Sequence, residues 1–437
     1  MCPTSKDGGH CVNLTLAYHP VRALRFGSQT RLDGTTLEID TDELRRVLLE
    51  DEALSDATFD LAAPGEDCRA GPVFDVVEPR AKADGGSPDF PGILGPPVTA
   101  GMGTTHVLSG MAVTVLDEHA AGGSRGAVGR VLQMNGPAAE GSWYAGLHHL
   151  IAIPRVKAGT EAHAAKRAKR VAALRAAVHL ARAALSQAPA ESRAFEPVNP
   201  GPPGRADLPR VAYVGQIFSR QRAAELDEPV LYGLNTTGML PVLLHPDEWL
   251  DGALVTSYYT SMGGAETFGY QNHPIIMELY RRHHAGELNF VGAVASIAGS
   301  DNADRDRNCR TAASLVRWAL NADAAVLTKY GGGVPHADLA ETARLLESAG
   351  IRTSVMVSDV SRDRRVESAL LFNFPEVNAI VYGGGNDTRW QVPPAGRIIA
   401  ATPAIGELLA GVRELNAMNV AGITNQQGAS RLRAVVY

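Results

Sequence analysis

Residues 251–266 read DGALVTSYYTSMGGAE, in which Thr256, Ser257, Tyr258, Tyr259, Thr260 and Ser261 put six hydroxyl groups in succession before Gly263 and Gly264. Such a run can form a ligand wall, carry a residue that itself undergoes chemistry, supply tyrosine acid–base groups, or be an ordinary polar loop. Two further segments combine glycine with polar groups: KYGGGVPHAD, with Tyr330, Gly331, Gly332 and His336, and GGGNDTR, with Gly384 and Asn386. Glycine lets backbone N–H groups approach an anion such as a carboxylate, and equally serves turns that need positive φ. Neither segment has the spacing of a nucleotide loop. In the first half, Thr105 and His106 of GMGTTHVL and Glu78 and Arg80 of VVEPRAK either close over these loops or form a turn and a buried ion pair. His148, His149, His273, His283, His284 and His336 show no metal-ligand spacing, and no metal site is assigned. The His283–His284 pair reads as a solvated feature at a helix C-terminus.

The elements that must position these groups divide the chain. Residues 1–160 hold short β-like runs such as FDLAAPG, GPVFDVVEPR, THVLSGMAVTVLDE and HLIAIP between turn residues, the pattern of a β-rich, antiparallel or barrel-like domain. Residues 161–209 begin with an Ala-rich stretch that predicts one long helix over 161–185, followed by a Pro-rich linker. Lys166, Arg167, Lys169, Arg170 and Arg175 on that helix read as a solvated face rather than a nucleic-acid patch. Residues 210–437 alternate apolar runs (RVAYVGQI, LNFVGAVASI, AAVLTK, IRTSVMVS, NAIVYG) with amphipathic helical stretches. That alternation predicts a doubly wound, mainly parallel α/β domain, whose ligands bind beyond the carboxyl ends of the strands. LDGALV reads as one more buried strand, emptying into the hydroxyl loop.

Composition bounds the function class. In 437 residues, Lys+Arg 41 against Asp+Glu 47 gives a net charge of −6, so no basic footprint for nucleic acid is present. No apolar run is long enough for a membrane span, and the N-terminal residues lack a signal-peptide core. Four scattered cysteines, Cys2, Cys11, Cys68 and Cys309, show no disulfide or zinc pattern, which points to a reducing, cytoplasmic setting.

From about residue 20 to about residue 430 the chain resembles the component B proprotein subunit of the glycine, sarcosine and betaine reductases. The stretches that carry the resemblance include RFGSQTRLDGTTLEIDTDEL, APGEDCRAGPVFDVVEPRAKADGG, PVLLHPDEWLDGALV, QNHPIIMELYRRHHAGELNFVGAV and LNADAAVLTKYGGGVPHADL. The resemblance implies a reductive cleavage. In it, a substrate amine condenses with a chain-derived pyruvoyl carbonyl, and a selenocysteine- or cysteine-bearing partner subunit takes the carboxymethyl fragment toward a thioester.

At one point the sequence departs from that pattern. Aligned on Asp251, Gly252 and Ala253, the family's Asn–Cys pair, where the chain is cut and the pyruvoyl group forms, falls on Tyr258 and Tyr259. A phenol oxygen is too far from its own backbone to attack the preceding carbonyl, so a pyruvoyl group is not expected there and the cofactor is left unassigned. Ser257 and Ser261 are the flanking residues chemically able to undergo an N-to-O acyl shift. Asn308–Cys309 matches the scissile dipeptide but reads as the start of a helix. The expected function is a diverged substrate-binding subunit for a small amine or amino-acid derivative, associating with itself or with a thiol- or selenol-bearing subunit. Tyr258, Tyr259, Ser257 and Ser261 are its candidate catalytic residues. Tyr330, Gly331, Gly332, His336, Gly384, Asn386, Thr105 and His106 are its candidate substrate-binding residues. The alternatives are a non-catalytic scaffold, and a stand-alone enzyme using a metal or tyrosine acid–base chemistry.

Overall fold

The computed structural model describes residues 13–83, 87–117, 128–195, 206–217, 229–236, 238–257, 265–299, 301–331, 333–357, 376–377, 379–383, 388–423, 427–428, 431–432 and 435–436. The first half is built on β1 (Leu14–Pro20), β2 (Cys68–Gly71), β3 (Val73–Val77), β4 (Arg80–Lys82), β5 (Gly103–Ser109), β6 (Met111–Leu116) and β7 (His148–Val156). One four-stranded sheet runs Glu191–Ala194, β1, β5, β4, and another runs Leu54–Ala62, β7, β6, β3. β1 pairs in parallel with β5, and β6 in parallel with β7, so the sheets are mixed and not antiparallel as the sequence suggests. Short turn-rich spacing favours hairpins, but parallel partners need long crossovers, and the segments between these strands provide them.

α1 (Ala162–Arg182) packs against β3, β4 and β6, and its residues from Ala168 to Leu174 are all buried. The solvated-face reading therefore fails for Lys169 and Arg170, which are 5% and 0% exposed. A helix that is alanine on nearly every side can be buried all round. Its cations then find buried acceptors: Lys169 binds Asp117, and Arg170 donates to the carbonyl oxygens of Thr256 and Pro229.

The second half holds β8 (Arg210–Gln216), α2 (Pro246–Leu250), α3 (Thr267–Gln271), α4 (Pro274–His284), β9 (Asn289–Ser296), α5 (Asn302–Ser314), β10 (Ala324–Thr328), α6 (Val334–Ser348), β11 (Arg352–Val357) and β12 (Ala379–Tyr382). The parallel strands lie side by side in the order β9, β8, β10, β11, β12, with Val242–Leu244 and Val435–Val436 as antiparallel edges. This is a doubly wound α/β sheet, and the chain changes direction between β8 and β10. At such a switch point the connections leave to opposite faces and open a crevice beyond the strand ends.

LDGALV is not a strand. Helix α2 ends at Leu250, Gly252 takes φ +90°, and among these residues only Leu254 makes an isolated bridge, to Leu231. Asn308 and Cys309 lie inside α5, whose N-cap is Asp301, so the helix begins well before the position read from sequence. β13 (Arg397–Ala400) returns to the first half and pairs in parallel with β2. A shared core also joins the halves, with Leu14, Leu16 and Val107 packed in one cluster with Tyr213, Trp249 and Phe290. Among the described residues, no helix is long and apolar enough to cross a membrane.

Candidate functional site

At the switch point, β8 carries Tyr213, Gly215 and Gln216, and β10 ends at Thr328. Gly215 stands opposite Thr328, and the Tyr213 ring leans along the strand over Gly215. A Cβ at Gly215 would lie 2.4 Å from the Tyr213 hydroxyl oxygen and 2.7 Å from the Trp249 ring, so only glycine leaves room for this arrangement. The Tyr213 hydroxyl thereby reaches Thr328 Oγ1 at 2.6 Å and His273 Nε2 at 2.9 Å. His273 is the N-cap of α4, and its Nδ1 accepts the Ile276 N–H at 3.3 Å. Burial pushes the imidazole down to about 3, so it is neutral. Beyond β10, Lys329 Nζ donates to the Gly331 carbonyl at 2.7 Å, and Tyr330 packs on Tyr270 with ring centroids 6.3 Å apart.

The hydroxyl loop is gripped at its two ends. Thr256 N donates to Thr267 Oγ1 at 3.2 Å, and Thr267 donates through N and Oγ1 to the two oxygens of Asp75, at 2.9 and 2.8 Å. Burial pushes the Asp75 carboxyl up to about 6, and the hydrogen bonds from Thr267 oppose that shift. Next in the chain, buried Glu266 pairs with buried Arg130 and accepts from the Tyr144 hydroxyl at 3.1 Å. The segment before the loop is fixed by Asp251, which binds Lys82, Thr105 Oγ1 and Gly101 N.

The residues expected from sequence are placed as follows. Ser257, Tyr330 and His336 are buried, His336 in the first turn of α6 and Tyr330 beside the switch point, while Gly331 has φ +75°. Thr105 serves the Asp251 cluster. His106 sits next to it on β5 and instead meets His19, with Nδ1 to Nε2 at 2.9 Å. Successive strand residues face opposite ways, which separates the two. Tyr258, Tyr259, Ser261, Gly332, Gly384 and Asn386 lie outside the described residues. Glu78 and Arg80 form a buried ion pair at 2.6 Å, and Arg80 also donates to the carbonyls of Leu250 and Gln271. His283 is buried, not solvated, and accepts the Phe290 N–H at 3.3 Å. Sequence reasoning missed Tyr213, Gln216, Thr328, Trp249 and the residues that grip the loop. The available signal was a polar residue near the end of an apolar strand run, as in RVAYVGQI and AAVLTK. Among the described residues, no group of three or more His, Cys, Asp and Glu could hold a metal ion.

The neutral imidazole makes acid stability testable. An unfolded histidine titrates near ~6.5, so between that pH and about 3 the unfolded chain binds a proton at His273 that the folded chain does not. Its contribution is complete above pH ~6.5 and is lost as pH falls, at up to about 1.4 kcal/mol per pH unit. Urea unfolding of the wild type between pH 6 and 4 is expected to be steeper by about that amount than in His273→Gln. Equal slopes would show that His273 is not held neutral.

Neither Tyr258 nor Tyr259 carries a heteroatom one carbon from its backbone, so the alignment expected from the sequence leaves no residue at those two positions for a chain-derived pyruvoyl group. Over residues 12–427 the chain matches the family described as glycine/sarcosine/betaine reductase component B subunits. It is 28% identical over 427 residues to "Glycine reductase complex component B subunits alpha and beta" of Peptoclostridium acidaminophilum, covering 95% of this chain and 98% of that protein. The protein of the same name from Acetoanaerobium sticklandii is 27% identical, again over 95% and 98%. "Sarcosine reductase complex component B subunit alpha" of Peptoclostridium acidaminophilum is 28% identical, over 90% of each chain. No solved structure matches it.

Proposed function

We propose, because the chain belongs to the family of glycine/sarcosine/betaine reductase component B subunits, that it is the substrate-binding subunit of a cytoplasmic multi-subunit reductase. It takes up a small amine or amino-acid derivative at the switch point and presents it to a partner subunit bearing a reactive thiol or selenol. The observation that carries this reading is the extent of the match, which spans both halves and nearly the whole length of relatives whose names call them complex components. The chain's own described thiols support the need for a partner. Cys68 and Cys309 are buried, and burial pushes them up to about 11 and about 12, so neither supplies a thiolate near neutral pH.

In this reading the chain's residues bind, orient and shield. Gly331 and Gly333, both at positive φ, and Thr328 face the ligand, while the Asp251 and Asp75 clusters fix the segments on either side of the stretch that carries Ser257, Tyr258, Tyr259 and Ser261. The tyrosines act as the wall of the site.

Two measurements test this. Thermal unfolding with glycine, sarcosine, betaine and related amines is expected to show a rise with one of them, since saturation at a hundredfold over Kd contributes about 2.7 kcal/mol. Light scattering of the chain, alone and with the subunit encoded beside it, is expected to show an oligomer or a complex. A monomer in both cases, with no amine raising the unfolding temperature, rejects the proposal. A complex without ligand binding would favour the scaffold alternative.

A further inference from the structure

The first half of the molecule holds a cavity of about 680 Å³, built from residues other than those at the switch point. It lies between the amino-terminal turns of α1, the end of β7 and the end of β6. Volumes of ~300–1,000 Å³ are usual for small-molecule sites. Ala162, Ala165, Lys166 and Lys169 all reach it, because positions i, i+3, i+4 and i+7 share one face of a helix. Lys169 and Asp117 are the most buried polar residues of its wall, 5% and 2% exposed, and they pair with each other.

The wall is one-sided in charge. Among the described residues, Arg155, Lys157, Lys166 and Lys169 line it against one carboxylate, Asp117, an excess of three positive charges in a chain whose net charge is −6. On the other long helices, cations are met by carboxylates a turn away: Arg281 and Arg282 bind Glu278, Arg310 binds Asp306, and Arg344 binds Glu341. Helix α1 contains no acidic residue from Ala162 to Arg182, and Glu161 at its N-cap is exposed and outside the cavity wall. Cations gathered toward the amino end of a helix, where the dipole is already positive, repel one another and the helix. A concavity that concentrates such charge attracts a small anion, and the anion in turn relieves the repulsion.

We infer that this cavity binds a small molecule bearing a phosphate group, at a site separate from the switch point. An excess of several cations matches a dianion, and lysine ammonium groups are compact point charges that suit phosphate oxygens. An amino acid without net charge gains little from the same field, so the inference does not rest on the substrate-binding reading above. The turn from Lys157 to Thr160 holds one of these lysines in place. Lys157 N donates to the Ala53 carbonyl at 2.9 Å, and Thr160 donates to the Lys157 carbonyl through N at 3.2 Å and through Oγ1 at 2.9 Å. Leu116, Ile153 and Pro154 make another part of the wall apolar, which suits the carbon skeleton of a phosphate ester.

Calorimetric titration of the full chain at low ionic strength with inorganic phosphate, glycerol 3-phosphate and adenosine 5′-monophosphate tests this, with sodium chloride at matched ionic strength as the blank. At least one of the three is expected to bind the wild type, more weakly as salt is added. Lys157→Gln and Lys166→Gln are each expected to weaken that binding by about tenfold, and Lys166→Arg, which keeps the charge, to retain most of it. Arg167→Gln is the control: Arg167 is the next residue of α1 but faces Gly92, Pro229 and Gly233 instead, and its loss is expected to leave binding unchanged. Circular dichroism checks that each variant folds. Failure of all three compounds to bind the wild type overturns the inference, as do glutamine variants of Lys157 and Lys166 that bind like the wild type. Equal weakening by Arg167→Gln and Lys166→Gln also overturns it, because it would show general attraction to a basic helix and not a site.

Discussion

Asp251→Ala is expected to lose about 3–5 kcal/mol of stability, a large fraction of the ~5–15 kcal/mol that holds a typical domain folded. Its carboxylate is buried where the two halves meet and accepts from Lys82, from Gly101 N at 2.8 Å and from Thr105 Oγ1 at 2.8 Å. Removing it strands the Lys82 ammonium, whose side chain is 7% exposed and keeps the Met102 carbonyl at 3.1 Å. An ion pair of this kind adds little over an apolar pair of the same shape, but breaking it is severe because the surviving charge is far from water. The double variant Lys82→Met, Asp251→Ala is therefore expected to recover part of the loss. Urea midpoints measure both effects, and an Asp251→Ala protein within about 1 kcal/mol of wild type would show that the cluster is solvated.

The purified chain is expected to run as a single polypeptide of 46.2 kDa that does not react with a carbonyl-directed hydrazine. Self-cleavage to a pyruvoyl group needs a heteroatom one carbon from the backbone, placed to form a five-membered ring with the preceding carbonyl. Tyr259 holds its oxygen across an aromatic ring. Ser257 is the flanking described residue with suitable chemistry, and it is buried at 1% exposure beside the gripped Thr256. Intact mass and denaturing electrophoresis decide the matter. Two fragments meeting between residues 256 and 261, one of them hydrazine-reactive, would restore the pyruvoyl route through serine.

How much of this was legible in the sequence depends on the range of the interaction concerned. The alternation of apolar runs and amphipathic stretches from residue 210 onward was enough for the doubly wound sheet, because strand and helix periods are local properties. The glycine run after β10 marked a loop at a strand end for the same reason, and Glu78 and Arg80, two residues apart, could be read as a pair. The hydroxyl run at 256–261 was equally visible, but not that a helix and a positive-φ glycine, rather than a strand, lead into it.

The site itself was decided by tertiary structure. Tyr213 lies 60 residues from His273 and 115 from Thr328, and Asp75 lies 192 residues from Thr267. Local pattern says which way a side chain faces, and not what it meets. The same limit explains Lys169 and Arg170. In sequence they are charges on an alanine helix, and charges ordinarily face water. Only the packing of that helix against β3, β4 and β6, with Asp117 and the Thr256 and Pro229 carbonyls waiting as acceptors, makes their burial affordable. Residue type and spacing determined the sheet, the turns and the list of groups able to react. Which of those groups share a buried proton network was set by contacts between distant segments, where loss of water makes each missing partner costly and so fixes the pairs.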